Sequence, residues 1–345
     1  MTGVQTCALP ILTKGEGEAL EQICQGMQNH QVGKKLNYIL TQINGIGTQV
    51  FLDPANGDDG NDGFSPFSAK KTFAAAYALL TANKNDILYL IGNNASLTLP
   101  AKILWNKDYT HLIGVCAPVA LGKRARIFQA AALTGVDPLI DVQASGCMFA
   151  NFQAMQGVND ATSKVCFRVK DCGRNYFYNV HFAGIGHATM DVAGASSLKL
   201  DNAEECTFEE CQIGLDTISR AQNSTELWID NTTRRIKFKN CKIYAYISNA
   251  GHALVTIEDG TAIDRTIEFE NPEFLTDSLN QGVSCTSIFN IKAAITQGKI
   301  IIKNPILVTD GASGTGEWDS NNRGIIWVFA PACVAAGAGG VATKQ

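Results

Sequence analysis

The chain has 345 residues, of which 46% are hydrophobic and 17% charged, and its formal net charge is -4. This composition allows a large hydrophobic core and excludes intrinsic disorder, collagen-like repeats and small disulfide frameworks. The balance of 28 basic and 32 acidic residues argues against nucleic acid as a partner. No apolar run reaches the roughly 20 residues that a membrane-spanning helix needs.

The first eleven residues, MTGVQTCALPI, resemble the translation of a sequencing adapter. This interpretation makes residues 1–11 an artefact, places the gene in metagenomic DNA and leaves the natural start of the protein undefined. The alternative is a signal peptide, but a basic region is missing and Pro10 interrupts the short apolar stretch. We therefore exclude residues 1–11 from the predicted fold.

Residues 12–47 carry two apolar patterns with helical spacing, separated near Gly33. They predict an N-terminal helical segment that anchors the chain to a partner or to other copies of itself. The anchor residues are Leu20, Ile23, Met27, Leu36, Ile39, Leu40 and Ile43.

Residues 48–84 begin with a short strand and a loop rich in Asp, Asn and Gly. The loop contains three neighbouring carboxylates, Asp58, Asp59 and Asp62. Their spacing lacks the ligand order of a calcium loop, so a turn explains them better than a metal site. A helix is predicted for residues 68–82, with Ser68 as its N-cap, because three apolar residues share one face: Phe73, Tyr77 and Leu80. We expect this helix to cap the open end of the structure that follows.

An apolar-x-Asn-x-x-apolar pattern recurs through the rest of the chain. Its six copies begin at Phe149, Phe177, Phe208, Phe238, Phe269 and Ile302. The third position is Glu210 in one copy and Asn in the others: Asn151, Asn179, Asn240, Asn271 and Asn304. Asn tolerates a left-handed backbone and its amide can hydrogen-bond to a neighbour. We therefore expect these Asn residues to stack as a ladder.

A second series of apolar residues precedes each copy and alternates with a period of two, which predicts strands. It includes the pairs Phe167/Val169, Leu198/Leu200 and, after the last copy, Ile326/Val328. A repeat of about 30 residues cannot bury its own apolar face, so successive repeats must stack. The predicted fold is all-β, a right-handed parallel β-helix over residues 85–330, and it resembles the pectate-lyase-like superfamily.

Outward positions of the predicted coils carry charges and tryptophans. Glu209, Lys239, Glu270 and Lys303 alternate in sign, which predicts a charge ladder on a solvated face. Trp228 and Trp327 occupy outward positions of the second strand series, and they suggest contact with another subunit first, or else with a glycan or a neighbouring loop.

The cysteines show neither a CxxC pair nor the spacing of a zinc site. Several lie within apolar alternation, such as Cys166, Cys172, Cys206 and Cys211, and they are expected to be buried free thiols. Residues 331–345 are rich in Ala and Gly and are expected to form a loose tail.

Two stretches, FLDPANGDDGNDGFSPFSAKKTFAAAYA and the later THLIGVCAP with GKRARIF, are similar to β-helical virion proteins of tailed bacteriophages. The resemblance implies a structural protein of the virion, assembled in the host cytoplasm. It further implies a capsid decoration, a head fibre or a tail-associated component. As partners, it implies a homotrimer and other capsid or tail proteins.

Motifs for a nucleophilic serine, a P-loop or a dinucleotide site are missing. We assign no catalytic residue, metal ligand or cofactor, and expect no enzymatic activity. A glycosidase needs two carboxylates in one groove, and the candidates are Asp171, Asp201, Glu204 and Glu205. A tailspike-type depolymerase, acting on a host surface glycan as hydrolase or lyase, therefore stays open, and so does a carbohydrate-binding solenoid from outside phages.

Overall fold

The computed structural model describes residues 47–221, 224–277, 283, 285, 287–293, 296–309, 317–319 and 325–329. The predicted anchor residues and the predicted tail lie outside this part of the chain.

The described residues form 26 short strands in three sheets, and every pair of neighbouring strands is parallel. Sheet A contains β1 Gln49–Leu52, β2 Ile87–Ile91, β5 His111–Val115, β8 Met148–Ala150, β11 Tyr176–Tyr178, β14 Thr207–Glu209, β17 Ile236–Lys239, β20 Thr266–Glu270, β23 Lys299–Lys303 and β26 Ile326–Phe329. Sheet B contains β3 Leu97–Leu99, β6 Arg126–Gln129, β9 Gln153–Met155, β12 His181–Ala183, β15 Gln212–Arg220, β18 Lys242–Ile247, β21 Glu273–Asp277 and β24 Ile306–Thr309. Sheet C contains β4 Ile103–Trp105, β7 Ile140–Val142, β10 Val165–Lys170, β13 Ser196–Asp201, β16 Thr225–Asp230, β19 Val255–Ile257, β22 Ser287–Ile291 and β25 Glu317–Asp319.

From β2 onwards, the chain visits sheets A, B and C in turn, so each coil adds one strand to each sheet. The predicted all-β parallel solenoid is therefore confirmed. The Asn pattern spans sheets A and B, and the second strand series forms sheet C, except at its end. Strand β1 already pairs with β2, so sheet A begins within the segment that was predicted to precede the solenoid.

The core consists of inward side chains that stack from coil to coil. Phenylalanines at the first position of the repeat are fully buried in sheet A, and neighbouring rings lie 4.4 to 5.0 Å apart: Phe149, Phe177, Phe208, Phe238 and Phe269. Parallel strands in register place equivalent residues above each other, so one residue type repeated at a fixed spacing becomes a continuous stack.

The corner between sheets A and B is made by the residue at the third position of the repeat. All six of these residues have a positive φ, between 49° and 56°. Asn179 donates to the side chain of Asn151 at 2.9 Å, and Asn271 donates to Asn240 at 3.0 Å. Asn304 continues with a 3.3 Å bond to Asn271. The side-chain amides therefore link successive turns.

Glu210 adopts the same left-handed backbone, with φ 56°. Its carboxylate accepts from the amide of Asn240 at 2.9 Å. A carboxylate has no N–H to donate, so the side-chain ladder breaks between Glu210 and Asn179.

One α-helix, α1 Phe73–Ala78, lies among the described residues. Its N-cap is Thr72, whose side chain accepts from the backbone N–H of Ala75, so the prediction of Ser68 as N-cap was wrong. The physical reason is Asp59, which accepts from the backbone N–H groups of Lys71 and Thr72 and holds the chain extended until the helix begins.

The apolar face of α1 contacts the solenoid core, and the ring of Tyr77 lies 5.0 Å from that of Trp105. Ser68 ends a short 3-10 helix, Pro66–Ser68, which is capped by Ser65. None of the described helices has the length and apolarity to cross a bilayer.

Candidate functional site

The outer face of sheet C carries one continuous row of polar and aromatic side chains. Successive strands place them side by side in register: Asp141, Arg168, Lys199, Trp228, Thr256 and Asn290. The intervening positions point into the core and are apolar, such as Phe167 and Leu198. This alternation gives the sheet one dry face and one face that can meet a ligand.

The upper part of this row, toward the N-terminus, is a network of opposite charges. Arg168 donates two hydrogen bonds to Asp141, of 2.9 and 2.7 Å, and its guanidinium lies 3.9 Å from the carboxylate of Asp201. The hydrogen bond and charge of Asp141 raise the pKa of Arg168. On the next coils, Lys199 pairs with Asp230 at 2.9 Å. These carboxylates are therefore engaged in ion pairs with cations of the same face.

Trp228 lies in the middle of the row between two ammonium groups. The Nζ atom of Lys199 lies 4.2 Å from the ring centroid, and that of Lys292 lies 5.3 Å away. Lys292 also donates to Glu258 at 2.7 Å. Both distances are within the range of cation–π attraction, so the indole is held in place by the flanking cations.

An open cavity of about 280 Å³ lies beside this tryptophan. Its floor consists of side chains from sheet C, and its wall consists of the connections that lead from sheet B to sheet C. The lining residues are Ala193, Gly194, Ser224, Thr225, Trp228, Gly251, Ala253, Thr256, Asn290 and Lys292. Hydroxyls, an amide, a cation and an aromatic ring thus converge on one shallow groove, which suits a polar ligand with a flat apolar face, such as a sugar ring.

A buried ion pair holds the wall of the groove. Arg220 pairs with Glu226 at 2.7 Å, and neither side chain is exposed to solvent. The guanidinium also donates to the carbonyl groups of Ile185, Ile218 and Leu215, while Glu226 accepts from Ser197. Protein groups thus provide the hydrogen-bond partners of both buried side chains, as a buried ion pair requires.

Asp191 fixes the neighbouring part of the same wall. Its carboxylate accepts from the backbone N–H of Ala221 and from the hydroxyl of Ser224. Neither this contact nor the Arg220–Glu226 pair was found from the sequence, because neither belongs to a repeated position.

Asp137 differs from the paired carboxylates on this face. Loss of water around its carboxyl raises its pKa, and the positive charges of Arg168, Lys199 and Lys164 oppose this shift. Part of the residue stays exposed to solvent, which weakens the effect. Several carboxyl groups in the described part of the chain have a pKa that departs from its ordinary value. Among these groups, Asp137 is the one whose pKa is raised, whereas the pKa of each of the others is lowered.

The carboxylates considered for a glycosidase do not converge in one groove. Asp201 belongs to the outer face of sheet C, where Asn231 donates to it at 2.7 Å. Glu204 and Glu205 lie at the corner between sheets C and A, where Arg234 and Arg235 pair with them. Asp171 accepts from Asn202 at 2.9 Å. The corner residues bond to the next coil rather than to a common cleft.

The charged row on the outer face of sheet A has the register that the alternation predicts. Glu209, Lys239, Glu270 and Lys303 follow each other across neighbouring strands. Their ion pairs run partly along diagonals, because Lys237 pairs with Glu270 and Lys303 pairs with Glu268 at 2.6 Å. The ion pair with Lys237 lowers the pKa of Glu270.

The two predicted contact tryptophans lie on different sheets. Trp228 belongs to sheet C, whereas Trp327 belongs to β26 in sheet A, where it pairs with Ile301. The placement of Ile326, Trp327 and Val328 in the second strand series was therefore wrong. Spacing alone could not reveal this, because the segment before them is shorter than the preceding repeats.

The described residues contain no group of three or more His, Cys, Asp or Glu side chains that could hold a metal ion. In the loop of residues 48–66, Asp59 and Asp62 accept hydrogen bonds from backbone and hydroxyl groups. The eight described cysteines form no disulfide.

Several solved structures have a similar backbone. A rhamnogalacturonan lyase matches with a TM-score of 0.56 and 14% identity, over 76% of this chain and 68% of its own. Pectin methylesterase from Aspergillus niger matches with 0.53 and 14%, over 82% and 84%. Pectate lyase Pel9A matches with 0.50 and 15%, over 76% and 64%. No protein-family model and no curated protein matches the sequence. At these identities, the likeness shows the pectate-lyase-like solenoid fold alone.

Proposed function

We propose that this chain is a structural protein of a tailed-bacteriophage virion, as a capsid decoration, head fibre or tail-associated solenoid without catalysis. The observation that carries this proposal is the pairing of outward carboxylates with basic groups, as in Asp141–Arg168 and Asp230–Lys199. A carboxylate that is engaged by a cation of its own surface is not free to act on a glycosidic bond, as the carboxyl groups of a glycosidase must. The resemblance of the sequence to virion proteins gives the biological setting.

The proposed molecule is a right-handed helix of coils that assembles as a homotrimer in the host cytoplasm. Helix α1 caps its first coils, and residues 12–47 attach it to other capsid or tail proteins. A solenoid suits such a role because neighbouring coils stabilise each other along its whole length.

This proposal can be tested on virus particles purified from the environmental sample that supplied the metagenomic DNA. Mass spectrometry of purified particles should detect peptides such as those around Phe177 and Phe208 together with capsid peptides. Detection in the cellular fraction alone would contradict a virion protein.

The second candidate is a tailspike-type depolymerase, and the outer face of sheet C favours it. This face has the groove beside Trp228, and the charges of two of its cations, Arg168 and Lys199, act on Asp137, a carboxyl group whose pKa is raised by loss of water. A glycosidase uses two carboxyl groups, and Asp201 lies 3.9 Å from the same cation, Arg168.

The two candidates differ in one assay. Purified protein is incubated with host surface polysaccharides, and new reducing ends or unsaturated products are measured. The structural role predicts no turnover. Turnover that disappears in both Asp137→Asn and Asp201→Asn, but persists in Glu205→Gln at the neighbouring corner, would establish the depolymerase instead.

A further inference from the structure

The last described coil has an outer surface unlike that of the coils before it. On sheet A, the row of Glu209, Lys239, Glu270 and Lys303 ends in Phe329, and the adjacent row ends in Trp327. On sheet B, Glu273 is followed by Ile306, and Leu275 by Val308. One charged row on each of the two sheets thus ends in an apolar residue, Phe329 on sheet A and Ile306 on sheet B.

We call this surface the terminal patch; it consists of Ile306, Val308, Trp327 and Phe329. Each of the four side chains is 53% to 55% exposed. The two sheets meet at the corner of Asn304, whose backbone N–H donates to the carbonyl group of Phe329 at 2.8 Å, and Ile306 follows two residues after this corner.

We infer that the terminal patch is the centre of the contact between copies of this chain. This inference rests on the proposed homotrimer and identifies its surface. In a closed symmetric assembly, each copy supplies the same patch near the symmetry axis. The partner is therefore a second copy of the chain, which presents the same apolar residues.

The charges around the patch favour a partner that is itself uncharged. Lys303, the nearest charged residue of the row, is already paired with Glu268 at 2.6 Å. Beside Phe329 the patch therefore offers an apolar surface rather than a free cation, which suits an apolar surface of a second copy.

The size of the patch agrees with an interface of ordinary dimensions. A large side chain buries about 150–250 Å², so four half-exposed side chains present roughly 400 Å² of apolar surface. A stable interface buries about 800 Å² per partner, of which somewhat more than half is apolar. Trp327 lies in the patch, and tryptophan is the residue type most often found at the energetic centre of interfaces.

The test measures the mass of the purified full chain by light scattering. The wild type should have the mass of three chains of 37.0 kDa, whereas Trp327→Glu and Ile306→Glu should dissociate at least tenfold more readily. The matched control is Phe67→Glu, a fully exposed aromatic residue far from the patch in sequence, which should keep the wild-type mass. Because all three side chains are exposed, circular dichroism and the melting temperature should show that the variants fold.

The outcomes separate the two proposals. A wild type that stays monomeric at high concentration overturns the homotrimer and the inference together. An oligomer that persists in both Trp327→Glu and Ile306→Glu leaves the homotrimer standing and overturns the terminal patch as its surface. An oligomer that Phe67→Glu dissociates as readily overturns the patch as well.

Discussion

The corner between sheets A and B and the connections from sheet B to sheet C hold the coils together in opposite ways. At the first corner, one residue per coil adopts a left-handed backbone and bonds only to the adjacent turn, as Asn271 does to Asn240. In the connections, contacts occur once, and the Arg220–Glu226 pair joins several segments. The repeated corner distributes stability over many small contacts, whereas the connections concentrate it in a few side chains.

The largest effect is expected where stability is concentrated. Replacing Arg220 with Met leaves the carboxylate of Glu226 buried without its cation, and removal of one partner of a buried ion pair costs about 3–5 kcal/mol. Urea unfolding of Arg220→Met should show a loss of this size. The double variant Arg220→Met/Glu226→Leu should recover most of it, because no charge is then left buried. Equal stability of the single variant and the wild type would remove the contrast between the two regions.

A second prediction concerns a hydrogen-bond chain that crosses the outer face of sheet B. Arg126 donates to the side-chain oxygen of Gln153, so the amide of Gln153 donates to Nδ1 of His181 at 2.9 Å. His181 Nε2 then donates to the carbonyl of Gly214 at 3.0 Å and lies 3.1 Å from the hydroxyl of Tyr244. This order of donors fixes a neutral imidazole, and burial lowers the pKa of His181 to about 4, with Lys123 and Arg126 adding to the shift.

The unfolded chain binds a proton at His181 near pH 6.5, whereas the folded chain does so only near pH 4. This contribution to stability is therefore complete above pH 6.5 and is lost as the pH falls toward 4; it amounts to about 3 kcal/mol. In His181→Gln, the unfolding free energy should fall less steeply between these pH values, because about one proton fewer is taken up on unfolding. A slope remains in that variant, because the pKa of buried His111 is also lowered to about 4. The partly exposed His187→Gln serves as control, and a profile of His181→Gln that matches it would contradict the prediction.

A smaller gain is expected at the break in the side-chain ladder. Glu210→Asn supplies the N–H that the carboxylate lacks and suits the left-handed backbone better. The melting transition should show a stabilisation of about 1 kcal/mol. The matched control is Asn240→Ala, which removes the bonds to Glu210 and Asn271 and should destabilise by a similar amount. Destabilisation by Glu210→Asn would mean that Asn does not stabilise this corner in every coil.

The smallest effect is expected on the charged face of sheet A. Lys237→Met removes the ion pairs with Glu268 and Glu270, which are partly exposed. Such pairs contribute at most about 1 kcal/mol, and salt screens them. Unfolding free energies of Lys237→Met and the wild type should therefore converge in 1 M salt. A difference that persists there would assign the lysine a packing role.

The stacked coils, the phenylalanine stack and the row from Glu209 to Lys303 all follow from the spacing of the repeat along the chain. In a solenoid, a residue meets its equivalent one repeat away, so a fixed spacing along the chain becomes contact in space. This is why Phe177 and Phe208 could be placed against each other from the sequence. The left-handed corner followed from the same reasoning at Asn151 and Asn179.

Three features could not be predicted from the repeat: the groove beside Trp228, the Arg220–Glu226 pair and the sheet to which Trp327 belongs. The connections from sheet B to sheet C differ in length from coil to coil, so their residues share no register that a pattern could reveal. Gly194 and Ser224 line one cavity because the connections from two successive coils fold back over sheet C. Contacts of this kind depend on the path of each connection through space, and the period of the repeat carries no information about that path.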